Sequence, residues 1–152
     1  MYKMKRTIPV LLVVLSSMLL SCNDQNKSIK NNQIMEVTKE EKEGIMHAID
    51  FYVEGGRKAD GKITAKAFAD TATMSWTENG VLKSVPIKVL YDGFDNSEPM
   101  EAHYELTYLN VEKNVAIARI ESQFGANKFA DMFTLVKDAD QWKIVSKVYQ
   151  SK

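Results

Sequence analysis

From Met100 to Gln150 the chain reads almost without interruption as strand. Four runs, 100–111, 115–125, 128–137 and 142–150, are separated by Glu112-Lys113-Asn114, the Gly125-Ala126-Asn127 bend and Asp138-Ala139-Asp140. Long neighbouring strands joined by turns this short make an antiparallel meander. A sheet of that size needs helices to cover its apolar face, and the preceding residues supply them.

Thr38-Lys39-Glu40-Glu41 matches a capping box, with Thr38 as N-cap. Beyond it Ile45, Met46, Ile49, Tyr52 and Val53 recur at helical spacing and form one apolar face. Gly55-Gly56 is expected to end this helix, because glycine takes the left-handed conformation cheaply. A shorter helix is expected to start after Asp60 or Gly61 and run to Ala69, with Ile63, Ala67 and Phe68 inward. The period then changes to two. Ala72, Met74 and Trp76 alternate with Thr73, Ser75 and Thr77, and Asn79-Gly80 is a strong hairpin signal before a second strand at 81–85. Pro86 is placed at N1 of a short helix carrying Ile87, Leu90 and Tyr91 on one side. Asp92 to Pro99 is read as a loop. Helices grouped against an antiparallel sheet make an α+β domain.

The N-terminus carries a different kind of signal. Lys3, Lys5 and Arg6 precede an apolar run from Val10 to Leu15, closed by Met18, Leu19 and Leu20. That order is secretory. The run is shorter than the roughly 20 apolar residues of a membrane span and is broken by Ser16 and Ser17. Leu19-Leu20-Ser21-Cys22 resembles the lipobox of bacterial lipoproteins. The expected organisation is therefore a lipoprotein signal peptide at 1–21, a flexible polar tether at 22–35 with a lipidated (palmitate-bearing) Cys22, and a folded domain at 36–152. This predicts a protein anchored through lipid to a bacterial membrane in the cell envelope, periplasmic or surface-facing. Cys22 is the one cysteine of the chain, so no intramolecular disulfide forms.

Charge excludes little. The chain has 20 basic and 20 acidic residues. The first 21 residues hold three of the basic ones and no acid, which leaves 17 against 20, a net −3. With no basic stripe, nucleic acid is not an expected partner.

The order of elements resembles the NTF2-like superfamily, a cone in which N-terminal helices pack on a curved, mostly antiparallel sheet. Four stretches carry the closer likeness: Ala48-Ile49-Asp50-Phe51-Tyr52-Val53-Glu54-Gly55, Lys66-Ala67-Phe68-Ala69-Asp70-Thr71-Ala72, Phe133-Thr134-Leu135-Val136-Lys137 and Trp142-Lys143-Ile144-Val145-Ser146-Lys147. They are similar to the family known as "Putative lumazine-binding", close to the SnoaL-like group, over roughly residues 40 to 150. The resemblance implies a pocket between sheet and helices, and the family name implies a pterin-like ligand. The superfamily also contains isomerases, polyketide cyclases, dehydratases, epoxide hydrolases and non-catalytic members, so fold does not decide activity.

The last hairpin is the most informative for a site. With its turn centred on Ala139, Asp131 lies opposite Lys147, Phe129 opposite Tyr149 and Phe133 opposite Val145, all on one face. That puts a charged pair inside an apolar and aromatic stripe. Such a pair either orients a polar ligand on a pocket floor, or is a structural or outer-face salt bridge. In the preceding hairpin, with Lys113-Asn114 at the turn, Tyr108 meets Arg119, Leu106 meets Glu121 and Tyr104 meets Gln123. His103, Glu105, Thr107 and Leu109 oppose Phe124, Ser122, Ile120 and Ala118 on the other face. These mixed faces suit a half-solvated sheet, a homodimer contact, or Tyr104, Tyr108 or Arg119 against a ligand. Trp76, Tyr91 and Phe94 form either plain core or an aromatic wall near the pocket mouth.

The candidate ligand-binding set is Trp76, Tyr91, Tyr104, Asp131, Lys147 and Tyr149. Catalytic signals are sparse. Superfamily isomerases place their base near the first strand, where this chain has Thr73, Met74, Ser75 and Trp76. His47 and His103 stand without a second ligand at metal spacing, and no cofactor motif is present. Three readings follow: a non-catalytic binder of a small molecule; a SnoaL-like isomerase, cyclase or hydrolase using Asp131 as base with Tyr104 or Tyr149 as donor; and a dimerising module whose pocket is filled by its own side chains.

Overall fold

The computed structural model describes residues 37–152; the expected signal peptide, Cys22 and the whole of the tether lie outside the described residues. The element order is α1 (Lys39–Lys58), α2 (Gly61–Ala65), β1 (Phe68–Glu78), β2 (Val81–Pro86), α3 (Lys88–Asp95), β3 (Ala102–Glu112), β4 (Val115–Phe124), β5 (Asn127–Asp138) and β6 (Gln141–Ser151). The α+β expectation holds: two helices come first, a third follows the first hairpin, and the sheet is curved, open and mostly antiparallel.

The sheet order is β2-β1-β6-β5-β4-β3. Strands β3 to β6 are the expected meander, and the β1–β2 hairpin joins it through a parallel pairing of β1 with β6. Turn chemistry accounts for the hairpins. Asn79 and Gly80 have φ of 52° and 77°, the left-handed pair of a type I′ turn. Lys113, Gly125 and Ala139 adopt positive φ at the other three turns.

Helix α1 begins at Thr38, which accepts from the Glu41 amide while Glu41 caps Thr38 in return. Its end departs from expectation. The helix runs through Gly55 and Gly56 to Lys58, and Ala59 takes the left-handed conformation instead, at φ 54°. The glycines serve close packing. A Cβ on Gly55 would sit 1.9 Å from Thr64 Oγ1, and one on Gly56 would sit 2.3 Å from the Phe124 ring. Helix α2 is shorter than expected and stops at Ala65, because the Ile144 amide takes the Ala67 carbonyl at 2.9 Å and draws the chain into β1 at Phe68. Pro86 ends β2 rather than opening α3, whose cap is Ile87. Helix α3 reaches Asp95, into the segment read as loop, where the Asp95 carboxylate accepts from Gly61 N–H at 2.6 Å.

The core lies between the α1 stripe and the sheet. Ile45, Ala48, Ile49, Tyr52 and Val53 are buried against Ala118, Ile120, Phe133, Leu135 and Ile144. Trp142 packs so near Gly44 that a Cβ there would approach its ring to 2.8 Å.

Candidate ligand pocket

The register of the last hairpin differs from expectation in two ways. The turn is the two-residue Ala139-Asp140, so Asp138 pairs with Gln141 and Leu135 with Ile144. The register then shifts between Thr134 and Leu135: Thr134 pairs with Ser146, leaving Val145 as the extra residue of a β-bulge. Beyond it Phe133 lies opposite Lys147, Asp131 opposite Tyr149 and Phe129 opposite Ser151. Asp131 and Lys147 are therefore diagonal neighbours rather than direct partners.

The bulge sets which β6 side chains point inward. Trp142 and Ile144 are buried before it, and Lys147 is buried after it. Continued alternation from Ile144 would have sent Ser146 and Val148 inward. Instead Val148 is exposed and Lys147 enters the domain.

There it meets Asp131. Both are essentially fully buried, at 2% and 0% exposure. Lys147 Nζ donates to Asp131 Oδ1 in a salt bridge. Ser122 Oγ donates to Oδ2 at 2.5 Å, and the Tyr52 hydroxyl reaches the same oxygen at 3.5 Å. Lys147 also lies over the faces of Tyr149 and Tyr52, 4.2 Å and 5.4 Å from the ring centroids. Burial pushes the Tyr52 phenol well above its ordinary range, and the Asp131 charge adds to this. The phenol of Tyr149 is raised for the same two reasons. Burial pulls the Lys147 amine down, against the opposing pull of Asp131. Both phenols thus stay protonated, and Asp131 is held by three donors.

A cavity of about 230 Å³ opens in front of this cluster. Lys147 and Tyr149 contribute from β6, Phe129 and Asn127 from β5, Phe94 and Leu90 from α3, and Tyr52 from α1. Met74, Met100 and Phe124 complete the lining. The volume is below the roughly 300–1,000 Å³ of drug-sized sites and suits a ligand of one or two rings. A larger hollow of about 330 Å³ lies beside His47, Phe51, Lys66, Trp142 and Lys143. Its lining holds no buried charge, so the smaller cavity is the chemically distinctive one.

The family signature matches across the whole of this architecture: the "Putative lumazine-binding" family fits residues 40–150. The chain belongs to this NTF2-like family. An NTF2-like protein of unknown function from Shewanella baltica is 32% identical, with a TM-score of 0.70 over 77% of this chain and 98% of that one. Another, from Methylobacillus flagellatus, is 28% identical, with a TM-score of 0.69 over 77% and 96%. A ketosteroid isomerase-like protein from Erwinia carotovora atroseptica shares the fold at 14% identity and a TM-score of 0.58, over 75% and 98%. No match is found among curated proteins.

Within this family fold the six sequence candidates separate. Lys147 and Tyr149 line the cavity, and Asp131 sits directly behind Lys147. Trp76 stands one layer out, its ring 5.6 Å from that of Tyr149. Tyr91 faces Phe68 at 6.1 Å, and burial with help from Asp70 raises its phenol to about 12. Tyr104 points away, donating to Asp50 on α1 at 2.7 Å. A bulge explains this too. The pairing of Tyr108 with Arg119 is as expected, but the register shifts between Leu106 and Tyr108, so that Leu106 pairs with Ile120 rather than Glu121, and Tyr104 with Ser122 rather than Gln123. His47 stacks on Phe51 at 4.5 Å, and His103 is exposed. Among the described residues no metal-holding cluster of His, Cys, Asp or Glu occurs.

Sequence reading missed Tyr52 and Ser122 as partners of Asp131. Tyr52 was legible as the one polar-tipped side chain in the α1 stripe. Ser122 follows once β4 and β5 are paired, since Ile120 lies opposite Asp131 and Ser122 is its diagonal neighbour.

Proposed function

We propose that this domain binds a small ring-bearing molecule in the cavity in front of Lys147 and does not turn it over. The observation that carries the reading is the Asp131–Lys147 pair, buried at the floor of an otherwise aromatic and apolar pocket. Buried charges are costly unless paired, and Lys147 reaches the cavity surface while its partner stays behind it. The non-catalytic part rests on Asp131. A general base must reach the proton it removes, and this carboxylate is fully buried and already accepts from Lys147, Ser122 and Tyr52. Tyr104, one of the two donors an isomerase-like reaction would draw on, is turned toward Asp50.

Native mass spectrometry after incubation with a metabolite extract tests the reading. A binder retains an unchanged small molecule, and Met74→Trp, which fills the cavity, comes out empty. A converted product, or retention unaffected by Met74→Trp, overturns it.

A second reading concerns the opposite face of the sheet. Tyr108, Ile117, Met132 and Val148 are all about half exposed there, and Val148, Met132, Arg119 and Tyr108 follow one another across β6, β5, β4 and β3. Exposed apolar rows of this kind mark contact surfaces. A twofold homodimer needs only this one patch meeting itself. Sedimentation should show a dimer that Met132→Glu dissociates.

For residues 1–22 the proposal is export and lipid anchoring at Cys22, in the cell envelope. Its support is the order of basic, apolar and Leu-Ser-Cys segments. No described helix is long and apolar enough to cross a membrane. Cys22→Ser should abolish fatty-acid labelling and release the protein from membranes; unchanged labelling overturns the assignment.

A further inference from the structure

We infer that the pocket selects an electrically neutral ring compound presenting a carbonyl oxygen to Lys147 Nζ, and rejects the carboxylate analogue of the same shape. The inference rests on the pocket reading above and adds the chemical class of the ligand.

The argument is one of donors and charge. An ammonium group carries three N–H donors. Among the described residues the one acceptor that Lys147 meets is Asp131 Oδ1. Its ammonium otherwise lies over the Tyr149 and Tyr52 rings, and Lys147 lines the cavity. Aromatic faces attract the cation but do not replace a lone-pair acceptor, so an oxygen arriving from the cavity meets an unfilled demand. The nearest protein carboxylate cannot supply it, being already engaged by three donors.

The same geometry opposes an anion. The Lys147 charge is balanced by Asp131, and the rest of the lining is uncharged: Tyr52, Asn127, Tyr149 and apolar side chains. An entering carboxylate would leave a net negative charge among aromatic walls, where its lost hydration is not repaid. Asp131, directly behind the ammonium, would repel it. Glu78, near enough to help hold the Tyr149 phenol up, adds to that repulsion. A neutral carbonyl takes the free donors without that cost. Asn127, at the exposed end of the cavity, offers an amide to the ligand's far edge.

Isothermal titration of the full-length protein with 2-naphthamide and 2-naphthoate tests this. The amide should bind at least tenfold more tightly at pH 7. Asp131→Asn, which leaves Lys147 uncompensated, should reverse the order. Because that variant risks unfolding, the pH dependence of the wild type provides a second readout. Apparent affinity for the naphthoate should rise as pH falls toward about 4, where the free carboxyl becomes neutral, while the amide stays flat and reports an intact fold. Equal or tighter binding of the naphthoate at pH 7 overturns the selectivity and leaves the pocket reading standing. If neither compound binds a protein that is folded by circular dichroism, the pocket reading falls and this inference with it.

Discussion

Lys147 meets Asp131 across the β5–β6 hairpin because Val145 is bulged out between them and the turn. One extra residue in β6 changes which side chains of its C-terminal half face inward, and so decides whether the domain holds a buried ion pair or an apolar floor. Deleting Val145 alone should close the bulge into a regular ladder that keeps Lys147 inward, whereas deleting Val145 and Ser146 together should turn Val148 inward and Lys147 out, leaving Asp131 without its cation. The double deletion is expected to cost about 3–5 kcal/mol in urea unfolding relative to the single one. Equal stability of the two deletions would mean that the residue count ahead of Lys147 does not place it.

The pair should also behave as a unit. Asp131→Leu leaves Lys147 buried and unpaired, at a cost of about 3–5 kcal/mol. Replacing both together, Asp131→Leu with Lys147→Met, should recover most of the loss, since apolar residues of similar volume often substitute for a buried pair. A double-mutant cycle by denaturant unfolding measures the coupling.

Alkaline stability follows from the tyrosines. The Tyr52 phenol is raised in the folded protein above its ordinary value of 10.0, by burial first and Asp131 second. The folded state therefore keeps a proton that the unfolded state loses. Its contribution is present below pH 10 and is lost as pH rises beyond it. Lys147, lowered by burial from 10.5, acts in the opposite sense, because there the unfolded state holds the proton longer. Tyr52→Phe should flatten the fall in stability above pH 10, and Lys147→Met should steepen the net loss. Thermal unfolding between pH 8 and 11 separates the two.

The glycines of the helices should respond oppositely to alanine. Alanine is the better helix former by about 1 kcal/mol. At Gly56 its Cβ would meet the Phe124 ring at 2.3 Å and Phe94 at 2.9 Å, so Gly56→Ala should destabilise by about 1–3 kcal/mol. Gly93, in α3, has nothing within 4 Å of that position, and Gly93→Ala should stabilise by about 0.5–1 kcal/mol. Melting temperatures of the two variants settle the comparison.

These glycines mark where sequence reasoning is weakest. Gly55-Gly56 looks like a helix end because glycine is permissive. Here it is needed because Thr64 and Phe124 come within a Cβ's reach, a contact made by residues distant in sequence. The reverse holds at Thr38 and Asn79-Gly80, where cap and turn depend on neighbouring residues and were legible at once.

The sequence by itself determined the elements, the meander, the family fold and the presence of a charged pair in an aromatic stripe. These follow from local periodicity and turn chemistry. It also placed Asp131, Lys147 and Tyr149 on one face, though the inferred pairing was two residues out, because a shift of two preserves the face in a structure of period two. The tertiary structure alone decided the partners. Where the chain bulges at Val145 and between Leu106 and Tyr108 depends on how strands pack beneath α1, and each bulge reassigns the side chains on its far side. That is why Tyr104 turns to Asp50 while Tyr52 and Ser122 close around Asp131.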